Sequence, residues 1–295
     1  MKSESAALPV AHNRVADFVS LTKPRLNFLV VATSAAGYYL GSSSPLDTIG
    51  FFNTVAGTAL VAGGSSVFNQ IYERDVDALM TRTRLRPLPD GRVAPREAAV
   101  FGGLLSMAGL LLLALGSTLL AAGVALATLI SYVAIYTPLK QRTSLATVVG
   151  AVPGALPPVI GWAGATGVVS REAWLLFAIV FLWQMPHFLA IAWMFREDYA
   201  RAGFPMLPVI HPDGRSTTRQ ATAYAAALIP VSLMPTAIGM ASWVYFAGAL
   251  GLGLVFLGLA VRFARRLADS DARWLFFGSI TYLPLVWILM IATRG

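Results

Sequence analysis

The sequence predicts an all-α membrane protein of nine transmembrane helices with the N-terminus on the cytoplasmic side. Three observations carry that prediction. Hydrophobic residues make up 57% of the 295-residue chain and charged residues 12%, with a mean hydropathy of +0.68; ordinary soluble domains carry about twice that charge fraction. The apolar residues gather in stretches near 20 residues, the length that crosses a hydrocarbon core of about 30 Å. Finally, 20 of the 22 Lys and Arg residues fall on one side when the stretches are threaded alternately, leaving only Arg171 and Arg294 on the other. Cationic loops stay on the cytoplasmic side.

Taken in order, residues 1–20 (MKSESAALPVAHNRVADFVS) contain acids and lack an apolar stretch with a small-residue cleavage site. They read as a short cytoplasmic lead-in to a single integral-membrane domain, 1–295. Nine spans follow, at 24–43, 49–70, 95–115, 117–136, 144–165, 173–194, 219–239, 242–263 and 274–292. The third and fourth are joined only by LGST, as in a helical hairpin. The fifth, SLATVVGAVPGALPPVIGWAGA, holds Pro153, Pro157 and Pro158, so it should kink where neighbours satisfy the freed carbonyls. An odd number of spans places the C-terminus outside. The chain has no cysteine, which excludes disulfides, zinc–thiolate sites and thiol nucleophiles. The net charge of +8 does not indicate nucleic acid, because the charges sit at the ends of apolar stretches, where lipid headgroups and anionic substrates meet them. NQIYERDVD and MFREDYARAG both follow even-numbered spans, a weak internal similarity.

The charge is densest in NQIYERDVDALMTRTRLRPLPDGR, residues 69–92. Asn69, Glu73 and Asp77 recur at every fourth position and climb one helical face over about 12 Å. Asp75 lies about 200° around from Glu73 and Asp77, so it faces elsewhere or belongs to a frayed turn. Two carboxylates about 6 Å apart repel by roughly 3 kcal/mol at an effective dielectric near 20, and the C-terminal end of a helix dipole disfavours them further. Something cationic must compensate. A solvated helix end paired with Arg74, Arg82 and Arg84 is the plain alternative, but acids on one face at membrane depth point to function. Two carboxylates and an amide oxygen are hard ligands that suit Mg²⁺, which bridges protein carboxylates to substrate phosphates. The following RTRLRPLPDGR is a loop whose Arg82, Arg84, Arg86 and Arg92 supply the guanidinium side of a diphosphate cradle.

N-x-x-x-E-x-D-x-D running into M-x-R-T-x-x-R-P-L-P resembles the first signature of the intramembrane prenyltransferases of the UbiA superfamily. Glu73, where most members carry Asp, resembles the haem-farnesylating branch. YTPLKQRTS (136–144) resembles a basic element of that branch, with Gln141 in place of a usual basic residue. The elements W-Q-x-P-H-F and D-Y-x-x-A-G-x-P-M-L, within residues 181–209, resemble it closely. Met194 stands four before Asp198, so a second D-x-x-x-D motif is incomplete, and Glu197 is off that face. If one helix persists from His187 to Asp198, the two share a face about 16 Å apart. A lone histidine on an apolar helix is otherwise a core residue.

The resemblance implies nine helices around a central lipid-accessible cavity in the bacterial cytoplasmic (inner) membrane. It implies a Mg²⁺-dependent transfer of farnesyl from farnesyl diphosphate to a vinyl group of protohaem IX (haem B), with addition of water, giving haem O for terminal oxidase biogenesis. Asn69, Glu73 and Asp77 are then the catalytic metal ligands, with Asp75 and Asp198 supporting them or holding a second ion. Arg82, Arg86, Lys140 and Arg142 contact the diphosphate, Lys23 and Arg25 more weakly, and His187 contacts haem. A haem A synthase or oxidase-assembly protein is a candidate partner. Two rivals stand beside this reading: a related enzyme with an aromatic, quinone-precursor acceptor, and a membrane transporter.

Overall fold

The computed structural model describes residues 13–294; Lys2 and the rest of residues 1–12 lie outside them. The described residues form helices α1 (Arg14–Leu21), α2 (Pro24–Gly41), α3 (Thr48–Asp77), α4 (Pro95–Gly116), α5 (Leu119–Ile130), α6 (Thr137–Lys140), α7 (Ala146–Ala155) and α8 (Pro157–Thr166). They continue with α9 (Arg171–Met194), α10 (Arg196–Arg201), α11 (Leu207–Ile210), α12 (Arg215–Ala237), α13 (Trp243–Arg266) and α14 (Asp269–Ala292). Strand pairing among them is limited to one isolated bridge, Ala241 with Arg294.

Each of the nine expected intervals is occupied by a helical rod. Seven are long and apolar enough to cross a membrane. The other two are not apolar enough by that measure: α2 opens on Pro24, Arg25 and Asn27, and α12 opens on the polar run RSTTRQ. The boundaries also move. The second rod continues past residue 70 to Asp77, and at 30 residues it is about 45 Å long. That exceeds the hydrocarbon thickness, so the acid-bearing turns project beyond the apolar layer while remaining inside the protein. The fourth continues past residue 136 to Lys140 through a π-helical turn, Ser131–Tyr136. Pro138 causes it: proline has no N–H to offer the preceding turn, and the widened turn lets both the Thr137 N–H and its hydroxyl reach the Tyr132 carbonyl.

The fifth rod breaks at Leu156, between α7 and α8, as its prolines require. Gln184 of α9 donates to the Ala151 carbonyl at 2.7 Å, supplying a neighbour's amide to the kinked segment. Small residues let the rods approach closely. A Cβ on Gly161 would lie 1.9 Å from the Ser34 carbonyl oxygen, so α8 and α2 meet backbone to backbone. The two ends of the bundle differ in chemistry. At one, hydroxyls and carbonyls join the rods: Thr54 with Ser117, Thr118 with the Ala163 carbonyl, and Asn53 with the Gly116 carbonyl. Arg294 clips the end of α14 to the Tyr39 and Ser42 carbonyls there. The other end carries most of the charged side chains.

Candidate active site

The acidic face of α3 is intact and buried. Asn69, Glu73 and Asp77 are 3%, 2% and 1% exposed. Each is met by a cation from a different segment. Lys23, at the N-cap of α2, donates to Asn69 Oδ1 at 3.1 Å. Lys140, at the end of α6, donates to both Glu73 oxygens at 3.0 and 3.1 Å. Arg86, in the loop after α3, donates to Asp77 Oδ2 at 2.7 Å. The repulsion along this face is therefore offset by three cations. Burial, then the neighbouring Arg86, pushes the Lys23 ammonium down to about 7, against the pull of Glu73.

Several further side chains shape the site that motif reading did not single out. Thr137 accepts from Asn69 Nδ2 at 3.2 Å. Tyr132 and Tyr136, eight and four residues before Lys140, pack ring on ring at 5.3 Å across the π turn. A Cβ on Gly150 would lie 2.5 Å from the Tyr136 ring, so only glycine admits that ring position. Lys140 Nζ also lies 4.7 Å from the centroid of the Phe204 ring, within cation–π range. Phe204 belongs to a buried cluster with Met80, Tyr199 and Met206 that packs the loop after α3 against the segment after α9. The four-residue spacing Tyr132–Tyr136–Lys140 was the available signal; the π turn that aims it was not readable. A cleft of about 330 Å³ opens beside Lys23 and Arg86, lined also by Ser20, Gln70 and Arg92.

The structure does not gather all of the expected residues. Asp75 is 83% exposed and paired with Arg74 at 3.0 Å, because two helical positions turn it away from Glu73 and Asp77. Asp198 is correctly near the loop after α3 but is bound by Arg201. Burial opposes its charge, yet the Arg201 guanidinium and Thr81 hold its carboxyl below the usual range. One helix does not persist from His187 to Asp198: α9 ends at Met194, Phe195 leaves helical geometry, and α10 starts at Arg196. Arg82 lies over the Phe195 ring at 4.8 Å. Arg25 and Arg142 are exposed. His187 lies on the seam between α9 and α14, bonded to Ser279.

The donor set can be tested for metal. Among the described residues no three His, Cys, Asp or Glu side chains cluster closely enough to hold an ion alone. Asp77 Oδ1, however, is buried without a hydrogen-bond partner, an expensive state for a carboxylate oxygen. With Glu73 and the Asn69 amide oxygen it forms an incomplete, hard-oxygen set. That fits Mg²⁺ shared with substrate phosphates, and not an all-protein cage.

A rod bundle that buries two carboxylates and an amide on one helix end, faced by three cations, presents the polar groups that an anionic ligand and its counter-ion need. The chain belongs to the UbiA prenyltransferase family, whose model matches residues 30–281. It is 49% identical over 287 residues to the Protoheme IX farnesyltransferase of Solibacter usitatus, covering 94% of this chain and 98% of that one. It is 44% identical to the protein of the same name from Myxococcus xanthus, covering 100% and 99%. Among solved structures it superposes on a UbiA homolog from Archaeoglobus fulgidus bound to DMAPP and Mg²⁺ with a TM-score of 0.70 at 15% identity, covering 93% of this chain and 99% of that one. A digeranylgeranylglyceryl phosphate synthase structure gives 0.77 at 17%, covering 95% and 98%. These structural likenesses establish the fold. The chain is thus a multi-pass integral membrane prenyltransferase.

Proposed function

We propose that the chain transfers a farnesyl group from farnesyl diphosphate to a vinyl group of protohaem IX, giving haem O, in the bacterial inner membrane. The acceptor and the transferred group are those in the names of relatives 40–49% identical across nearly the whole chain. The observation that carries the chemistry is the cluster in which Lys23, Arg86 and Lys140 meet Asn69, Asp77 and Glu73. It holds both halves of a diphosphate site before any substrate is present.

Asn69, Glu73 and Asp77 would hold Mg²⁺, which when bound would supply positive charge against the diphosphate. Lys23, Arg86 and Lys140 donate to phosphate oxygens and offset the charge that grows on the departing diphosphate. Arg82 and Arg142, exposed at the mouth, attract the anion before it docks. Tyr132 and Tyr136 line the approach and, with the apolar rods, keep bulk water from the allylic cation. Asp75 takes no part, and Asp198 positions the loop around Thr81.

The test is diphosphate release from farnesyl diphosphate by protein in lipid nanodiscs, with and without Mg²⁺ and haem. The expected result is release that needs both, with haem O as the product by mass. Prenylation of an aromatic acid in preference to haem overturns the acceptor, and release unaffected by Mg²⁺ removal overturns the metal.

A further inference from the structure

His187 is the second-motif side chain that the diphosphate cluster does not use. Its ring lies between two aromatic rings: Trp183, one helical turn earlier, at 5.3 Å and 22°, and Phe276 of α14 at 5.0 Å and 25°. Its Nδ1 is 2.7 Å from the hydroxyl oxygen of Ser279, a fully buried residue of α14. That hydroxyl in turn donates to the Phe276 carbonyl at 2.5 Å. A serine hydroxyl has one hydrogen. For both contacts to be hydrogen bonds, that hydrogen goes to Phe276, the oxygen accepts from His187, and Nδ1 carries the proton. The Ser279 carbonyl meanwhile accepts from the Trp183 indole N–H at 2.7 Å. One serine therefore pins both Trp183 and His187 of α9.

The tautomer follows. A neutral imidazole has a single N–H, so Nε2 presents a bare lone pair. No Asp or Glu among the described residues forms an ion pair with this ring, so no counter-charge holds an imidazolium there. An imidazole held this way accepts or coordinates; it does not donate through Nε2. Two features of protohaem could meet it. The propionates require a donor and are excluded, whereas the iron requires a lone pair. We propose that His187 Nε2 coordinates the iron of the haem acceptor, and that Ser279 is the positioning residue that fixes the tautomer and aims the ring. This deepens the acceptor reading above and rests on it. A partner at the far nitrogen is the arrangement that orients coordinating histidines and raises their basicity.

The test is resonance Raman spectroscopy of ferrous haem bound to the protein in nanodiscs, together with haem titration. The wild-type protein should show an iron–histidine stretch. His187→Ala should abolish it, and added imidazole should restore a ligand. Ser279→Ala should move the band to lower frequency and weaken haem binding by about tenfold or more, and Ser279→Thr, which keeps the hydroxyl, should return both toward wild type. The Trp183 bond goes to the Ser279 main chain, so the alanine variant keeps that half of the contact. An unchanged band in His187→Ala overturns the ligation, and an unchanged band in Ser279→Ala overturns the positioning role. A wild-type protein that binds no haem, while still releasing diphosphate with Mg²⁺, overturns the acceptor reading itself, and this inference falls with it.

Discussion

Two long helices of this chain end in short acidic motifs, and the two ends are built differently. α3 runs unbroken to Asp77 and keeps Asn69, Glu73 and Asp77 in register on one face, each buried and each opposed by a cation from elsewhere. α9 stops at Met194, turns at Phe195, and is followed by an exposed Glu197 and by Asp198, which Arg201 three residues later neutralises. The first end spends its cations on an assembled site, while the second spends its own on itself. The difference shows what acids at a helix end need in order to hold a metal. They need an unbroken helix to keep a four-residue register, and compensation from other segments that can be handed over to a ligand. A charge paired three residues along its own helix is merely solvated locally.

The largest effect should come from the α3 face. Asp77→Asn or Glu73→Gln should lower Mg²⁺-dependent diphosphate release by about 10²–10³-fold, the scale expected when one group stabilising transition-state charge is lost. Both variants should still fold and insert, and near-normal release from either would erase the distinction between the two ends.

Lys140→Met comes next. It leaves the Glu73 carboxylate buried without its partner, and breaking a buried pair costs about 3–5 kcal/mol. The expected signature is a lower melting temperature together with weaker farnesyl diphosphate binding. The double variant Lys140→Met with Glu73→Gln should recover most of the stability and none of the activity. A single variant that melts like the wild type would show that the pair contributes little.

Met194→Asp completes the D-x-x-x-D pattern with Asp198 and probes the second end directly. Because the helix breaks at Phe195, the two acids do not share a face, and Mn²⁺ titration followed by electron paramagnetic resonance should give unchanged stoichiometry. An added metal site would show that sequence spacing, not the break, controls this end. The smallest effect should be Asp75→Asn, an exposed change expected within about ±0.5 kcal/mol in stability and without consequence for turnover. A large loss of activity there would mean that Asp75 turns inward in the working enzyme.

Much of this was legible in the chain itself. The intervals of the rods, the kink at Pro153–Pro158, the side that takes the arginines and the common face of Asn69, Glu73 and Asp77 all follow from residues within a few turns of one another. Local misreadings also have local causes. Pro138 opened a π turn and carried the fourth rod to Lys140, and Phe195 cut the helix that was expected to align His187 with Asp198. Hydropathy marks where a helix is greasy, but it does not report where its axis turns.

Composition, length and periodicity by themselves determined a bundle of membrane-crossing helices with one acidic face at its charged end. Only the tertiary structure decided what meets that face. Lys23 reaches Asn69 across 46 residues, Lys140 reaches Glu73 across 67, and Ser279 fixes the His187 ring across 92. The physical reason is range. Helix periodicity and bilayer partitioning act within about 20 residues of chain. A buried charge or imidazole is instead satisfied by whichever distant donor the packing brings to about 3 Å, and that choice belongs to the assembled bundle.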